Sequence, residues 1–231
     1  MPVKSFVCKR PLSALVQVQG SEIIIKSHQN PDVLTFNILL IVNFKLTFKG
    51  LSEVPMAILK IFTYPDKFLR EPAIPVEKVD SAIHNLISDM AETMYDGSGV
   101  GLAGPQVGVD KRIIVYDVTQ EEQKRSPQFL INPEIVLSQG TIMSEKEGCL
   151  SVPEGFRADV KRAEKIRVTG MDRNGKSVDM QADGQLAIVL QHEVDHLNGI
   201  LFIDRVSSLK RQLYKNKIKK KLKKMGRSRK S

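Results

Sequence analysis

Cysteine is scarce in this chain: Cys8 and Cys149 are the only two among 231 residues. Two cysteines cannot staple a disulfide scaffold, so the fold has to rest on an apolar core, and the expected compartment is reducing. Long hydrophobic runs are missing as well. A membrane-spanning helix needs roughly 20 consecutive apolar residues, whereas the best candidate, residues 34–44, is short and broken by Asn37 and Asn43. No charged segment, apolar stretch and small-residue cleavage site open the chain, so a secretory leader is not expected. A transit peptide fits poorly too, because residues 1–55 hold one Arg, five Ser and three acids. The expected location is bacterial cytoplasm.

The longest stretch without an acidic residue is the C-terminal one. Residues 205–231 carry thirteen basic residues and no acid, a charge of +13, whereas residues 56–204 carry 16 basic and 23 acidic residues, a charge of −7. Residues 1–55, with six basic and three acidic, contribute +3. An acidic body with a basic tail points to a polyanionic partner near the C-terminus and says nothing of fold. With 42% hydrophobic residues, the chain has enough apolar material for one sizeable core in a single domain with appendages.

Residues 1–55 show no sustained period, and only 22–26 and 34–44 suggest strands. From Met56 the pattern is orderly. Val79, Ile83, Leu86, Ile87, Met90 and Met94 recur every three or four residues, which predicts an amphipathic helix ending at Asp96-Gly97. A glycine-rich loop follows, then 113–117 as a half-buried strand. Further short strands are expected near 129–131, 135–137, 166–170 and 177–180, with Arg173-Asn174-Gly175-Lys176 as a hairpin turn. Asp183 can cap a second helix over 184–198, buried on most sides and stopped by Gly199. A third helix is expected from Ser207 or Ser208 through Lys224. Its apolar residues Leu209, Leu213, Ile218, Leu222 and Met225 form a narrow stripe without the Trp or Phe anchors of a membrane-surface helix.

The sharpest chemical signal is His192-Glu193-Val194-Asp195-His196 on the second helix. Residues four apart share a helix face, so both imidazoles can bind one divalent ion while Glu193 reaches a water beside it. A catalytic ion needs a third protein ligand and an open position. Cys149, in Glu147-Gly148-Cys149-Leu150-Ser151, is the best third ligand, since a thiolate suits a soft or borderline ion. The loop Gly99-Val100-Gly101-Leu102-Ala103-Gly104 matches G-x-G-x-x-G formally. A dinucleotide site needs a strand before those glycines and a helix after them, the reverse of the order here, so no nucleotide cofactor is expected.

Three segments together, Gly99-Val100-Gly101-Leu102-Ala103-Gly104-Pro105-Gln106, Glu147-Gly148-Cys149-Leu150-Ser151 and Gln191-His192-Glu193-Val194-Asp195-His196, resemble the three signature motifs of peptide deformylase in order and approximate spacing. The resemblance spans residue 56 to about 222. It departs from the family at Gly104, where Ala is usual, a change expected to loosen the loop without removing a functional group, and in residues 1–55, which have no counterpart in compact bacterial members.

The resemblance implies an α+β fold in which antiparallel strands wrap a central H-E-x-x-H helix, here with a basic C-terminal helix added. It implies a hydrolase that removes the formyl group from N-formylmethionyl nascent peptides and releases formate. Cys149, His192 and His196 would hold one divalent metal ion, Fe2+ as in the family, with Zn2+, Ni2+ or Co2+ substituting. Glu193 would serve as general base and then acid. Gln106 and the backbone N–H of Leu150 would face the oxyanion. Backbone from Gly99 to Gly101 would pair with the peptide, and Val100, Ile188 and Val189 would offer a pocket to the methionine side chain.

Two other functions share part of this pattern. A zinc endopeptidase shares the H-E-x-x-H, but Leu197, Asn198, Gly199, Ile200 and Leu201 supply no downstream Glu or His ligand, and Cys149 goes unexplained. A ribosome or RNA-binding protein with an inactive enzyme-like body would use the tail alone, yet every expected catalytic group is present. The domain reading is a catalytic domain over 56–206, a basic amphipathic helix over 207–231 that can meet ribosomal RNA, and residues 1–55 as a dispensable extension or a misread start.

Overall fold

A computed structural model of the chain describes residues 16–18, 21–23, 57–119, 125–153 and 155–228, with side chains only within 57–224. The chain divides into two units, Met1–Ser52 and Glu53–Ser231. In the first, strands β1 (Val16–Val18) and β2 (Ser21–Ile23) form an antiparallel hairpin with Val16 opposite Ile23. The strand expected at 22–26 is described only to Ile23, and the run 34–44 lies outside the described residues.

The second unit is α+β with antiparallel sheets. Helix α1 (Ser81–Asp96) starts where Asp80 accepts a hydrogen bond from the Ile83 N–H at 3.1 Å, a side-chain cap on one of the orphan donors. Strands β3 (Gly101–Ala103), β4 (Ile113–Tyr116), β5 (Gln128–Gln139), β8 (Lys165–Met171) and β9 (Ser177–Asp183) form one sheet in the order β3-β4-β5-β8-β9. Strands β6 (Ile142–Glu147) and β7 (Ala158–Arg162) pair separately. Helices α2 (Gly184–Leu197), α3 (Phe202–Arg205) and α4 (Ser208–Ser228) complete the chain. Among the described residues no helix is long and apolar enough to cross a membrane.

The sheet is covered on both faces, and this corrects one expectation. Ile114, Leu130, Ile166 and Val168 pack with Ala187, Val189 and Leu190 of α2, whereas Ile113, Val115 and Ile131 pack with Ile87, Met90 and Met94 of α1. Strand β4 is therefore buried along its whole length instead of half-buried. A continuous apolar run is what a strand with two covered faces requires.

The two strands expected at 129–131 and 135–137 are one. Strand β5 passes through Asn132-Pro133 with one register shift against β8 between Ile131 and Glu134 and a second between Ile135 and Leu137, and Asn132 has φ of 52°. A bulge tolerates proline because no ladder donor is needed there. The Asn132 side chain anchors it by bonding both N and O of Val76 at 2.8 Å. The hairpin turn between β8 and β9 is as expected, with the Asp172 carboxylate accepting from the N–H groups of Asn174 and Lys176. Strands β3, β6 and β7 were not anticipated, since glycines interrupt one and charged residues the others.

Helix α2 is followed, just past its cap Asn198, by Gly199, whose φ of 71° is left-handed and whose Cα lies against the Arg70 carbonyl, leaving no room for a Cβ. At its start, Asp183 occupies the cap position but its side chain makes no capping bond. The apolar stripe expected along the C-terminal helix is also redrawn. Tyr214 and Ile218, one turn apart, are buried with Phe202, Val152 and Val160, whereas Leu209 and Leu213 are 69% and 61% exposed. The inward face follows Tyr214, which the stripe had left out.

Candidate active site

Helix α2 places His192 and His196 on one face, with ring centroids 5.1 Å apart. The segment after β6 brings Cys149 to them, its Sγ 3.2 Å from His196 Nε2. One donor atom from each of the three residues lies within 4.8 Å of the others. Other groups turn toward the sulfur: the Ser151 N–H at 3.3 Å and Gln106 Nε2 at 3.6 Å.

Each imidazole is set differently. His192 Nδ1 lies 2.7 Å from Glu147 Oε1, which turns its Nε2 toward the cluster. A carboxylate behind a ligating imidazole fixes its tautomer and raises its basicity. His196 Nδ1 is buried with no hydrogen-bond partner. Burial, reinforced by the charge on His192, pushes the His196 pKa well below its ordinary value and keeps the ring in its neutral, ligating form. Burial pushes His192 down too, but its hydrogen bonds to Cys149 and Glu147 outweigh this and hold it well above the usual value. A thiolate and two imidazoles fit a single borderline divalent ion with a position left for water.

A cleft of about 750 Å³ opens over the cluster. Gly99, Val100, Gly101, Gln106, Cys149, Leu150, Ile188, Val189, His192 and Glu193 all line it. His196 alone among the expected site residues stays behind the wall, 1% exposed. Strand β3 is an outer strand of its sheet, and Gly101 stands at its start beside Glu193. A Cβ on Gly101 would collide with the Glu193 carboxylate, so glycine there is a packing requirement of the acid beneath it. Burial pushes the Glu193 pKa up to about 7, and its Oε2 has no partner.

Gln106 is held by its own loop, its Oε1 accepting from the Ala103 N–H at 2.8 Å so that Nε2 faces Ser151 Oγ and Cys149. Residues 62–64 tie the two loops together: the Phe62 N–H donates to the Gln106 carbonyl and the Tyr64 N–H to the Ser151 carbonyl. Gly104 is buried against the Lys111 carbonyl, where a Cβ would stand 2.5 Å from the oxygen, so this glycine permits a close approach of backbone.

Sequence reasoning gave no role to Glu147, Asp195 or Arg162. The first two stand inside the motifs yet have no local signal of partnership. Arg162 had one: it shares the inward phase of Ala158 and Val160 in a strand whose outward residues are Asp159 and Lys161. An arginine in a core phase asks for buried acids. Burial raises the Glu147 pKa, but the His192 hydrogen bond and the Arg162 guanidinium hold it at about 2. A depressed folded-state carboxylate stabilises the protein above its unfolded pKa, and that contribution is lost as pH falls. Between pH about 4.5 and 2, Glu147→Gln should therefore flatten the pH dependence of the unfolding free energy, measured by urea titration. A slope equal to that of the wild type would contradict the pairing.

Comparison with known proteins decides among the chemistries this site allows. The family model for polypeptide deformylase matches residues 58–212. The chain belongs to the polypeptide deformylase family. A peptide deformylase of Desulfosudis oleivorans is 51% identical over 168 residues, 73% of this chain and 96% of that one. The crystal structure of a peptide deformylase from Legionella pneumophila, 47% identical, superposes with a TM-score of 0.67 over 74% of this chain and 99% of that one. A class I type b peptide deformylase from Acinetobacter baumannii, solved with Met-Ala-Ser bound, is 34% identical with a TM-score of 0.62 over 65% of this chain and 99% of that one. As a deformylase this chain is a hydrolase of protein biosynthesis that removes the N-formyl group from nascent polypeptides, in a family that depends on metal. The endopeptidase and RNA-binding alternatives find no support in these relatives.

Proposed function

We propose that Cys149, His192 and His196 hold one divalent ion, Fe2+ in the cell with Zn2+, Ni2+ or Co2+ as substitutes, and that the surrounding residues run deformylation. A bound ion would supply Lewis acidity, acidifying a water and polarising the formyl oxygen. Glu193 takes the proton of the attacking water at Oε2 and delivers it to the departing amine, so one carboxyl acts as base and then acid. Gln106 Nε2 and the Leu150 N–H stabilise the negative charge that develops on the formyl oxygen. Backbone from Gly99 to Gly101, at the open side of β3, pairs with the peptide as an added strand, and Val100, Ile188 and Val189 receive the methionine side chain. The observation that carries this reading is the convergence of the Cys149 thiol and two imidazoles at the base of a cleft that Glu193, with its unpartnered oxygen, also lines. The Met-Ala-Ser complex of the Acinetobacter relative makes formyl-Met-Ala-Ser the natural probe. Anaerobically purified protein should release formate from it in proportion to bound metal, and activity independent of metal content would overturn the reading.

In the same reading antiparallel strands wrap the H-E-x-x-H helix in a catalytic body over 56–206 that works in the cytoplasm, residues 1–55 are dispensable to catalysis, and the basic helix at 207–231 docks on ribosomal RNA. Phosphate contacts make such docking fall steeply with salt. Tyr214 and Ile218 are core residues, and losing their burial costs about 1.5–3 kcal/mol each. Removal of residues 220–231, beyond them, should leave hydrolysis of a short formyl peptide unchanged while weakening co-sedimentation with ribosomes at low salt. Equal co-sedimentation across a salt series would rule out docking by the tail.

A further inference from the structure

Behind the cluster runs a chain of charged groups that the reaction itself does not touch. Arg162 is shared between two acids: its Nε and Nη2 donate to Glu147 at 3.2 and 2.6 Å, and its Nη1 donates to Asp195 Oδ2 at 2.6 Å. All three side chains are less than a tenth exposed. Asp195 is also held from outside by Arg205, whose Nε donates to Oδ2 at 3.1 Å and whose Nη2 donates to Oδ1. Arg205 ends α3 and is 45% exposed.

With His192 neutral, as a metal ligand must be, two buried carboxylates face one buried guanidinium, and these three groups carry one negative charge in excess until Arg205 is counted. An uncompensated carboxylate away from water is costly and takes whatever cation it can reach. Without Arg205, the cation within reach of Asp195 is Arg162. Every shift of Arg162 toward Asp195 is a shift away from Glu147, the residue that fixes the His192 ring.

We propose that Arg205 is a positioning residue for the metal site: by neutralising Asp195 it leaves Arg162 to Glu147, and Glu147 to the Nδ1–H of His192, so that His192 Nε2 stays aimed at the ion. The inference rests on the reading of Cys149, His192 and His196 as ligands. It differs from a purely structural role because its effect appears at a metal that Arg205 does not touch.

The test uses full-length protein loaded with Co2+, whose visible bands report ligand geometry. Loss of an outer-shell partner typically weakens metal binding by about 10–100-fold. Arg205→Met should raise the Co2+ dissociation constant by about 10-fold or more, shift the visible bands, and lower kcat of the loaded enzyme with KM little changed. Arg205→Lys, which restores the charge, should recover most of the affinity. Arg167→Met, which removes an equally exposed cation from its surface pair with Asp179, should change none of these. Arg162→Lys keeps a buried charge but cannot serve both acids, and should loosen Co2+ further. Arg205→Met protein that binds Co2+ as tightly as wild type with the same spectrum would overturn the proposal, even if its Tm were lower. Wild-type protein lacking a thiolate-to-cobalt band would instead sink the ligand assignment, and this inference with it.

Discussion

Glu193→Gln protein is expected to retain its metal and to release formate at least ~100-fold more slowly than wild type, the usual cost of removing a general base. The substitution is nearly isosteric, and the glutamine amide cannot take a proton from water. Gly101 leaves just enough space for the acid, so the replacement side chain occupies the same slot without moving β3. Burial that pushes the Glu193 pKa up to about 7 suits a group that accepts a proton and then returns it. Metal analysis and formate release on the same preparation make the check. Near-normal turnover by metal-replete Glu193→Gln would remove Glu193 from the mechanism.

Cys149→Ala should fail in the opposite order, losing metal first and activity as a consequence. Only two imidazoles would remain for the ion, and the donors from Ser151 and Gln106 would lose the sulfur they face. The expected fall in affinity, measured by chelator competition, exceeds the ~10–100-fold that an outer-shell partner costs. Stoichiometric, tightly held metal in Cys149→Ala would exclude the cysteine as a ligand. Together the two variants separate holding the ion from moving the proton, which no single loss of activity can do.

Several features lay within reach of the sequence because their causes are local. Helix α1 is written in the spacing of Ile83, Ile87, Met90 and Met94, and the turn before β9 in Asn174-Gly175. The three motifs likewise held Gly99, Val100, Gly101, Gln106, Cys149, Leu150, His192 and Glu193 of the cleft lining, since backbone-close glycines, a thiol and an H-E-x-x-H each carry their chemistry in a few adjacent positions. Where the sequence misled, a distant partner was the cause. Strand β4 looked half-buried because no local pattern shows that α1 and α2 cover opposite faces. Of the expected stripe on α4, Ile218 is buried but Leu209, Leu213 and Leu222 are exposed, and Tyr214, outside the stripe, joins Ile218, because the surface they meet comes from Val152, Val160 and Phe202.

The spacing of His192 and His196 by itself determined that two imidazoles share a face, because a helix sets that geometry through bonds between near neighbours. That Cys149 meets them from 47 residues before His196 was decided only by tertiary structure, as was the sharing of Arg162 between Glu147 and Asp195. Such contacts form between segments brought together by burial of the whole apolar core. A buried charge can persist only where the completed fold supplies its counter-charge, and no stretch of sequence contains that information alone.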